Sequence, residues 1–338
     1  MTREHTSHDA NTLCRPIFIL GAHKSGTSFL RSLLDGHPEL AVLQKEAHYF
    51  QGAGFWTNYP LRTAERLHMD PSHLSMHNLL GMLERENQEG TSAFSDNPQF
   101  GGYDLDVAQR ELVKLFSVGT EAERVSLYLK ALLRAANGDQ LDGSRRVVEK
   151  SVENVHFAVV LQLLFPDAFF LHIVREPYQT LASLRRSRGA RYPYLLPLVS
   201  SLERSLLQLP CLGRVLPRYK ILKYEDLMRD VPAAMREVAE FLEIEASDVL
   251  YEATTSGSKW IGNSTAKKRP SKSQSSTNAS YKSSPNALEI HFVNQSMSEL
   301  IELLDYKERV TRLSPWRRVS GEGLRTYVKN RAAYWSRV

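Results

Sequence analysis

Apolar positions along the chain follow two rhythms, and they alternate. Short apolar runs, at residues 17–20 and again at 168–174, have the uninterrupted character of parallel strands buried on both faces. Residues 40–43, 145–151 and 219–223 are weaker strand signals of the same kind. Between them apolar residues recur at three- and four-residue spacing: Phe29, Leu30, Leu33 and Leu34, then residues 73–83, 112–116, 125–133, 154–164, 230–242 and 297–304. Strand–helix alternation predicts an α/β fold, a central parallel sheet flanked by helices.

Punctuation supports these limits. Gly36-His37-Pro38 stops the first helix, and Phe165-Pro166-Asp167 stops the helix before the 168–174 run. Pro177 opens a helix ending near Gly189, and Asp230 with Pro232 opens the one reaching Leu242. Residues 61–137 carry a long helical pattern divided by the polar stretch 89–104, and read as a helical insertion on the acceptor side. Residues 264–285 are rich in Ser and Lys without an acid, which predicts a mobile basic loop. The organisation expected is a flexible tail over 1–13, one domain over 14–313 and a basic tail over 314–338. Tyr327, Tyr334 and Trp335 in that last segment suit packing on the domain, or peripheral contact with a membrane.

Composition narrows the class. The chain has 338 residues, 42% hydrophobic and 24% charged, enough for one large core and unlike a disordered chain. The absence of an apolar run of membrane-spanning length and of a hydrophobic leader predicts a cytoplasmic protein. Cys14 and Cys211 are far apart in sequence and read as two reduced thiols. A net charge of +5 suits an anionic ligand without selecting one. No Cys/His cluster has zinc spacing, so no metal is expected. Asn263-Ser-Thr, Asn278-Ala-Ser and Asn294-Gln-Ser match glycosylation sequons, which mean little without a secretory signal.

Chemistry concentrates in two stretches. The first, Gly21-Ala-His-Lys-Ser-Gly-Thr-Ser28, joins the first strand to the first helix, where loop N–H groups and the helix's positive end cradle an oxyanion. A nucleotide-hydrolase P-loop would put its lysine directly after the second glycine, whereas here Thr27 follows Gly26 and Lys24 lies inside the loop. The second stretch, Phe170-Leu-His-Ile-Val-Arg-Glu-Pro-Tyr-Gln-Thr-Leu-Ala-Ser183, delivers Arg175 at a strand end and Ser183 in the following helix, a pair suited to a phosphate.

Together, in this order, the two stretches resemble the 5′-phosphosulfate and 3′-phosphate motifs of sulfotransferases that use 3′-phosphoadenosine-5′-phosphosulfate (PAPS). Val148-Glu-Lys-Ser151 resembles the Glu-Lys-Thr/Ser segment of carbohydrate sulfotransferases. Lys223-Tyr-Glu-Asp-Leu227 and Lys259-Trp-Ile-Gly-Asn-Ser264 resemble later segments of the same chains. The resemblance spans roughly residues 15–268, and points to a carbohydrate, heparan-type or bacterial-type member with a P-loop-like fold. It implies PAPS as co-substrate, held by Lys24, Ser25, Gly26, Thr27, Ser28, Arg175 and Ser183, with Tyr224, Asn263 and Ser264 assisting. Phe29 stands where relatives often carry the tryptophan that stacks on adenine.

The resemblance further implies an acceptor hydroxyl, less readily an amine, on a glycan, lipid or small metabolite, and no nucleic acid. Lys45-Glu-Ala-His-Tyr-Phe50 is similar to the Lys-Glu-Pro-His-Phe-Phe of heparan-type enzymes, whose glutamate is the base, although Ala47 and Tyr49 depart from it. Glu46 is the candidate base and His48 its rival, with Lys24 and Lys150 stabilising transferred charge. Val152 occupies the place of the histidine base of phenol and steroid sulfotransferases, and cannot take a proton. Two alternatives stand beside this reading: an ATP-dependent small-molecule kinase using the loop at Gly21, and a catalytically inactive nucleotide-binding relative.

Overall fold

Strand β1 (Ile17–Leu20) is buried along its whole length and divides the core in two. Ile17 and Ile19 join one apolar cluster, Phe18 and Leu20 another, as side chains of period two on a sheet covered on both faces require. The computed structural model describes residues 12–53, 75–88, 100–138, 144–188, 195–262 and 285–310.

The remaining strands are β2 (Leu40–Val42), β3 (Arg146–Glu149), β4 (Phe169–Val174) and β5 (Tyr219–Lys223). They form one parallel sheet in the order β2-β3-β1-β4-β5. The chain leaves central β1 for one side of the sheet, then crosses to the other through β4. β1 is therefore the switch point, beside which open parallel sheets bind ligands at their carboxyl ends.

Helices α1 (Thr27–Leu34) and α2 (Tyr49–Gly52) follow β1 and β2. Next come α3 (Met76–Gln88), α4 (Leu105–Leu112) and α5 (Glu121–Asn137), then α6 (Asn154–Leu164) after β3. After β4 lie α7 (Pro177–Arg188), α8 (Leu195–Leu206) and α9 (Leu209–Val215). Beyond β5 are α10 (Tyr224–Arg229), α11 (Val231–Leu242), the hairpin β6 (Thr254–Thr255) with β7 (Ser258–Lys259), and α12 (Ala287–Leu303).

One face packs Ile17, Ile19 and Leu171 against Leu30, Leu33 and Leu34 of α1 and Met235, Val238 and Leu242 of α11. The opposite face packs Phe18 and Leu20 with Val155, Ala158 and Leu161 of α6 and Tyr128, Leu129 and Leu132 of α5. Each fully buried Leu or Ile contributes about 1.5–3 kcal/mol, so the sheet that positions the site is rigidly held. Capping fixes the helix starts: Thr120 and Glu123 form a capping box on α5, and Asp230 accepts from the Ala233 N–H at 2.9 Å on α11.

Some expectations need correcting. The last helix begins at Ala287, ten residues before the 297–304 pattern, because Asn286 and Glu289 form a capping box and Met297 has non-helical dihedrals that break the periodicity. Asn294, a sequon residue, lies inside α12, accepting from Tyr178 Oη at 2.5 Å and donating to the Arg309 carbonyl at 3.1 Å. Residues 224–227, read as a segment beyond a strand, are helical, and α8, α9 and the β6–β7 hairpin were not anticipated. Much of the 61–137 stretch is helical where described, but 54–74 and 89–99 lie outside the described residues, as do 1–11, 263–284 and 311–338. Cys14 and Cys211 are both free and exposed. Among the described residues no helix is long and apolar enough to cross a membrane.

Candidate active site

All five strands of the sheet send polar side chains off their carboxyl ends. β1 leads to Lys24–Ser28, β2 to Glu46 and His48, β3 to Lys150 and Glu153, β4 to Arg175, and β5 to Tyr224.

The β1–α1 loop turns within six residues, which requires left-handed backbone at Lys24 (φ 67°) and Gly26 (φ 110°). A Cβ on Gly26 would lie 2.4 Å from the Tyr224 ring, so glycine is dictated by space as well as by φ. Ser25 also has a part in the turn itself. Its N–H and its hydroxyl both donate to the Ala22 carbonyl, at 3.1 and 2.7 Å, so Ser25 shapes the turn from within. Thr27 and Ser28 are buried in the first turn of α1, whose leading N–H groups have no intrahelical acceptor.

The second predicted anion ligand adjoins this loop. The Arg175 Nη1 donates to the Lys24 carbonyl oxygen at 3.3 Å, and its guanidinium lies 4.6 Å from the centre of the Tyr224 ring. Tyr224 thus separates Gly26 from Arg175 and touches both. The residue after each is also tied: the Glu176 N–H donates to Glu225 Oε1 at 3.1 Å, and Tyr306 Oη donates to Glu225 Oε2 at 2.8 Å. Ser183 lies in the second turn of α7 and is partly buried.

Phe29 packs at 5.6 Å on Trp260, just beyond β7. That hairpin is pinned by Asp35, which accepts from Thr254 Oγ1 at 2.7 Å, the Gly257 N–H at 3.3 Å and Gln44 Nε2 at 2.7 Å. Asn263 and Ser264 lie outside the described residues.

The β2–α2 segment holds the proton-transfer candidates. Glu46 is ion-paired with Lys150 through Oε1, and the two side chains are 7% and 1% exposed. Its other oxygen lies 3.3 Å from His48 Nε2, while His48 Nδ1 lies 3.5 Å from Glu153 Oε2. His48 reaches this position from left-handed backbone (φ 50°, ψ 32°). Burial alone would lower its pKa; the facing carboxylate of Glu153, then the charges of Glu46 and Glu86, outweigh burial and raise it to about 10. Glu153 is pushed the other way: burial opposes ionisation, but His48 holds its pKa well below the usual carboxylate range.

Beneath them Glu149 fastens the segment. It accepts from Ser151 Oγ at 2.5 Å, the Ala47 N–H at 3.2 Å and Asn154 Nδ2, and burial raises its pKa. The His48 N–H donates to Ser151 Oγ at 3.1 Å and Tyr128 Oη to the Ala47 carbonyl at 2.6 Å. From α3, Glu86 pairs with Lys45 at 2.7 Å. Glu46, His48 and Glu153 also offer ligand atoms within 4.8 Å of one another, a spacing a cation can use. Lys150 and a protonated His48 already balance the two carboxylates, however, and each ring nitrogen faces an acid.

Glu153, Glu149, Asp35 and Trp260, which contact the candidate residues, were not singled out from the sequence. For Glu153 a signal existed: an acid three residues beyond Lys150 that opens a helix, a place where carboxylates are favoured.

Comparison with known proteins follows the same lines. A family model described as the sulfotransferase family matches residues 16–248. A sulfotransferase domain from the olefin synthase of Synechococcus PCC 7002 is 22% identical, with 89% of this chain and 98% of that one covered and a TM-score of 0.49. The sulfotransferase domain of the curacin biosynthetic pathway is 18% identical, covering 88% and 100% at a TM-score of 0.49. A sulfotransferase of Alicyclobacillus acidocaldarius is 19% identical, covering 90% and 100% at 0.41. No curated protein matches the chain. With a family model spanning more than half of its length, on a parallel sheet with its polar loops at the carboxyl edge, the chain belongs to the sulfotransferase family.

Proposed function

We propose that the protein transfers a sulfuryl group from PAPS to a hydroxyl of an acceptor, a carbohydrate or glycolipid in the first place. The contact between Arg175 and the Lys24 carbonyl supports this reading, because it brings the guanidinium to the backbone of the loop that carries Lys24, across adjacent strands β1 and β4. One nucleotide with an anionic group at each end suits such a pair. The residues fit it chemically: a lysine, helix-terminal N–H groups and buried hydroxyls for one end, a guanidinium for the other. PAPS supplies an activated sulfuryl group with a phosphate leaving group.

The chain's own groups divide the rest of the work. His48 has both ring nitrogens turned to carboxylates and a pKa of about 10, so at neutral pH it is protonated and cannot serve as base. Glu46 is left for that role. Because Glu46 is paired with Lys150, taking up the acceptor proton neutralises the carboxylate and frees the ammonium for negative charge on the transferring oxygens. Lys24 serves the same end from the opposite loop. Phe29, backed by Trp260, presents an aromatic face for adenine.

The test compares thermal stabilisation by adenosine 3′,5′-bisphosphate with that by ATP-Mg²⁺, followed by a screen of glycan, lipid and phenol acceptors with radiolabelled PAPS. The bisphosphate should stabilise strongly and ATP-Mg²⁺ weakly; the reverse identifies a kinase. Bisphosphate binding without transfer to any acceptor identifies an inactive relative. Lys24→Ala should remove most turnover, and Glu46→Gln should slow transfer while sparing bisphosphate binding. Near-normal turnover in both variants overturns the assignment.

A further inference from the structure

We propose that Glu153 is a positioning residue: it holds His48 as an imidazolium wedged between two carboxylates, and through His48 it fixes the orientation and the ionised state of Glu46. The inference rests on the reading of Glu46 as the base, and it assigns a task to a side chain outside the motifs described above.

Geometry makes the argument. His48 Nε2 stands 3.3 Å from Glu46 Oε2 and Nδ1 stands 3.5 Å from Glu153 Oε2. A neutral imidazole carries one N–H, so one of the two acids would face a lone pair. Only the doubly protonated ring turns an N–H and positive charge toward both acids, the 3.5 Å approach to Glu153 Oε2 being an ion-pair contact and not a hydrogen bond. Glu153 in turn occupies the N-cap position of α6, an eleven-residue helix whose positive end favours a carboxylate there. The turn that presents Glu153 is joined to the segment that presents His48 by the bond from the His48 N–H to Ser151 Oγ, and by Glu149, which receives donors from Ala47, Ser151 and Asn154. His48 adds a backbone constraint, since left-handed φ at a non-glycine residue is retained only where the surroundings dictate it.

The charged groups facing the ring from each packed element agree with this. Glu46 belongs to the same loop, Glu149 to the end of β3, Lys150 and Glu153 to the β3–α6 turn and Glu86 to α3, while His23 of the β1–α1 loop acts on Glu153. Removing the charge of Glu153 leaves His48 with Glu46 as its one acid within 4 Å. With its proton affinity lowered, His48 would hold Glu46 Oε2 less firmly, and the ion pair of Oε1 with Lys150 would carry more of the orientation of Glu46.

The experiment is nitrogen NMR of the full-length chain labelled at histidine, read across pH for wild type, Glu153→Gln and Glu153→Asp, with His48→Gln to assign the signal. In wild type the His48 ring should keep both protons through pH 8. Glu153→Gln should move its midpoint down by at least one pH unit, a tenfold or greater loss of proton affinity, and Glu153→Asp should recover part of that shift. Adenosine 3′,5′-bisphosphate affinity, measured by calorimetry on the same samples, should change less than about threefold, which separates loss of positioning from loss of fold. A wild-type His48 that titrates near pH 6.5, a midpoint unmoved in Glu153→Gln, or a ring that gives up a proton to equimolar Zn²⁺ at pH 7 overturns the proposal. Should Glu153→Gln fail to fold, the wild-type curve and Glu153→Asp decide. If the bisphosphate binds none of the proteins, the donor assignment fails while the titration still judges Glu153.

Discussion

Arg175 Nη1 donates a hydrogen bond to the carbonyl oxygen of Lys24, 3.3 Å away and 151 residues earlier in the chain. Parallel pairing of Leu20 with His172 leaves β4 running two residues past the end of β1, to Val174, so that Arg175 meets the loop that follows β1. A guanidinium spent partly on a backbone carbonyl also orders the loop that carries the lysine.

Replacing Arg175 therefore acts twice. Arg175→Ala should weaken adenosine 3′,5′-bisphosphate roughly 10- to 100-fold, the worth of hydrogen bonds to a charged group. Arg175→Lys should recover little, because a point charge cannot hold the Lys24 carbonyl and an oxyanion in one plane. Calorimetry on both variants checks this, and full affinity in Arg175→Lys would show that charge alone is required.

Gly26 has no room for a side chain. Alanine there meets φ 110° and a Tyr224 ring carbon 2.4 Å from its Cβ. Left-handed backbone costs a non-glycine residue about 1–2 kcal/mol and overpacking typically another 1–3 kcal/mol. Gly26→Ala should lower stability by at least about 2 kcal/mol in denaturant melts. Combining it with Tyr224→Ala should return the packing share of that loss and leave the backbone share.

Asp35 joins three parts of the site that are distant in sequence. Its carboxylate takes donors from Gln44, Thr254 and Gly257, linking the end of α1 to the approach to Glu46 and to the hairpin before Trp260. Asp35→Ala takes the acceptor from the Gly257 N–H and leaves Thr254 Oγ1 and Gln44 Nε2 with their longer bonds to the carbonyls of residue 35, at 3.2 Å, and Val42, at 3.3 Å, at a cost of about 1–3 kcal/mol. Bisphosphate affinity should fall along with stability, since the hairpin positions Trp260 against Phe29. Asp35→Asn, which keeps one acceptor oxygen, should lie between. An affinity unchanged in Asp35→Ala would separate the hairpin from the nucleotide site.

The elements that were legible in the sequence are those whose signal is local. Residues 154–164 read as helix because the apolar pattern and Pro166 bound it, and α6 runs Asn154–Leu164. The turn after Gly21 and the strand end before Arg175 were legible because apolar runs of strand length stop there. What was not legible depends on contacts across the fold. Met297 interrupts the α12 rhythm at a kink, which hid ten residues of helix. Glu153 joins the candidate site only through His48, 105 positions away, and the turn-shaping bonds of Ser25 to Ala22 depend on the loop's own fold.

His172 gives a pH dependence that belongs to the fold and not to the site. It lies fully buried in β4, with Nδ1 2.8 Å from Tyr219 Oη, and burial lowers its pKa to about 3. Folded and unfolded chains are alike above pH 6.5, where both hold it neutral, so its share of stability is complete there. As pH falls below 6.5 the unfolded chain takes up a proton that the folded one refuses until about 3, so stability declines through that window by up to about 1.4 kcal/mol per pH unit. Carboxylates titrate within the lower part of the same window, and the variant is needed to isolate the histidine. His172→Phe removes the group, so its melting temperature between pH 6.5 and pH 4 should fall less steeply than that of wild type, even though the loss of the Tyr219 partner lowers it at neutral pH. Parallel curves for the two proteins would mean that His172 is protonated inside the folded sheet.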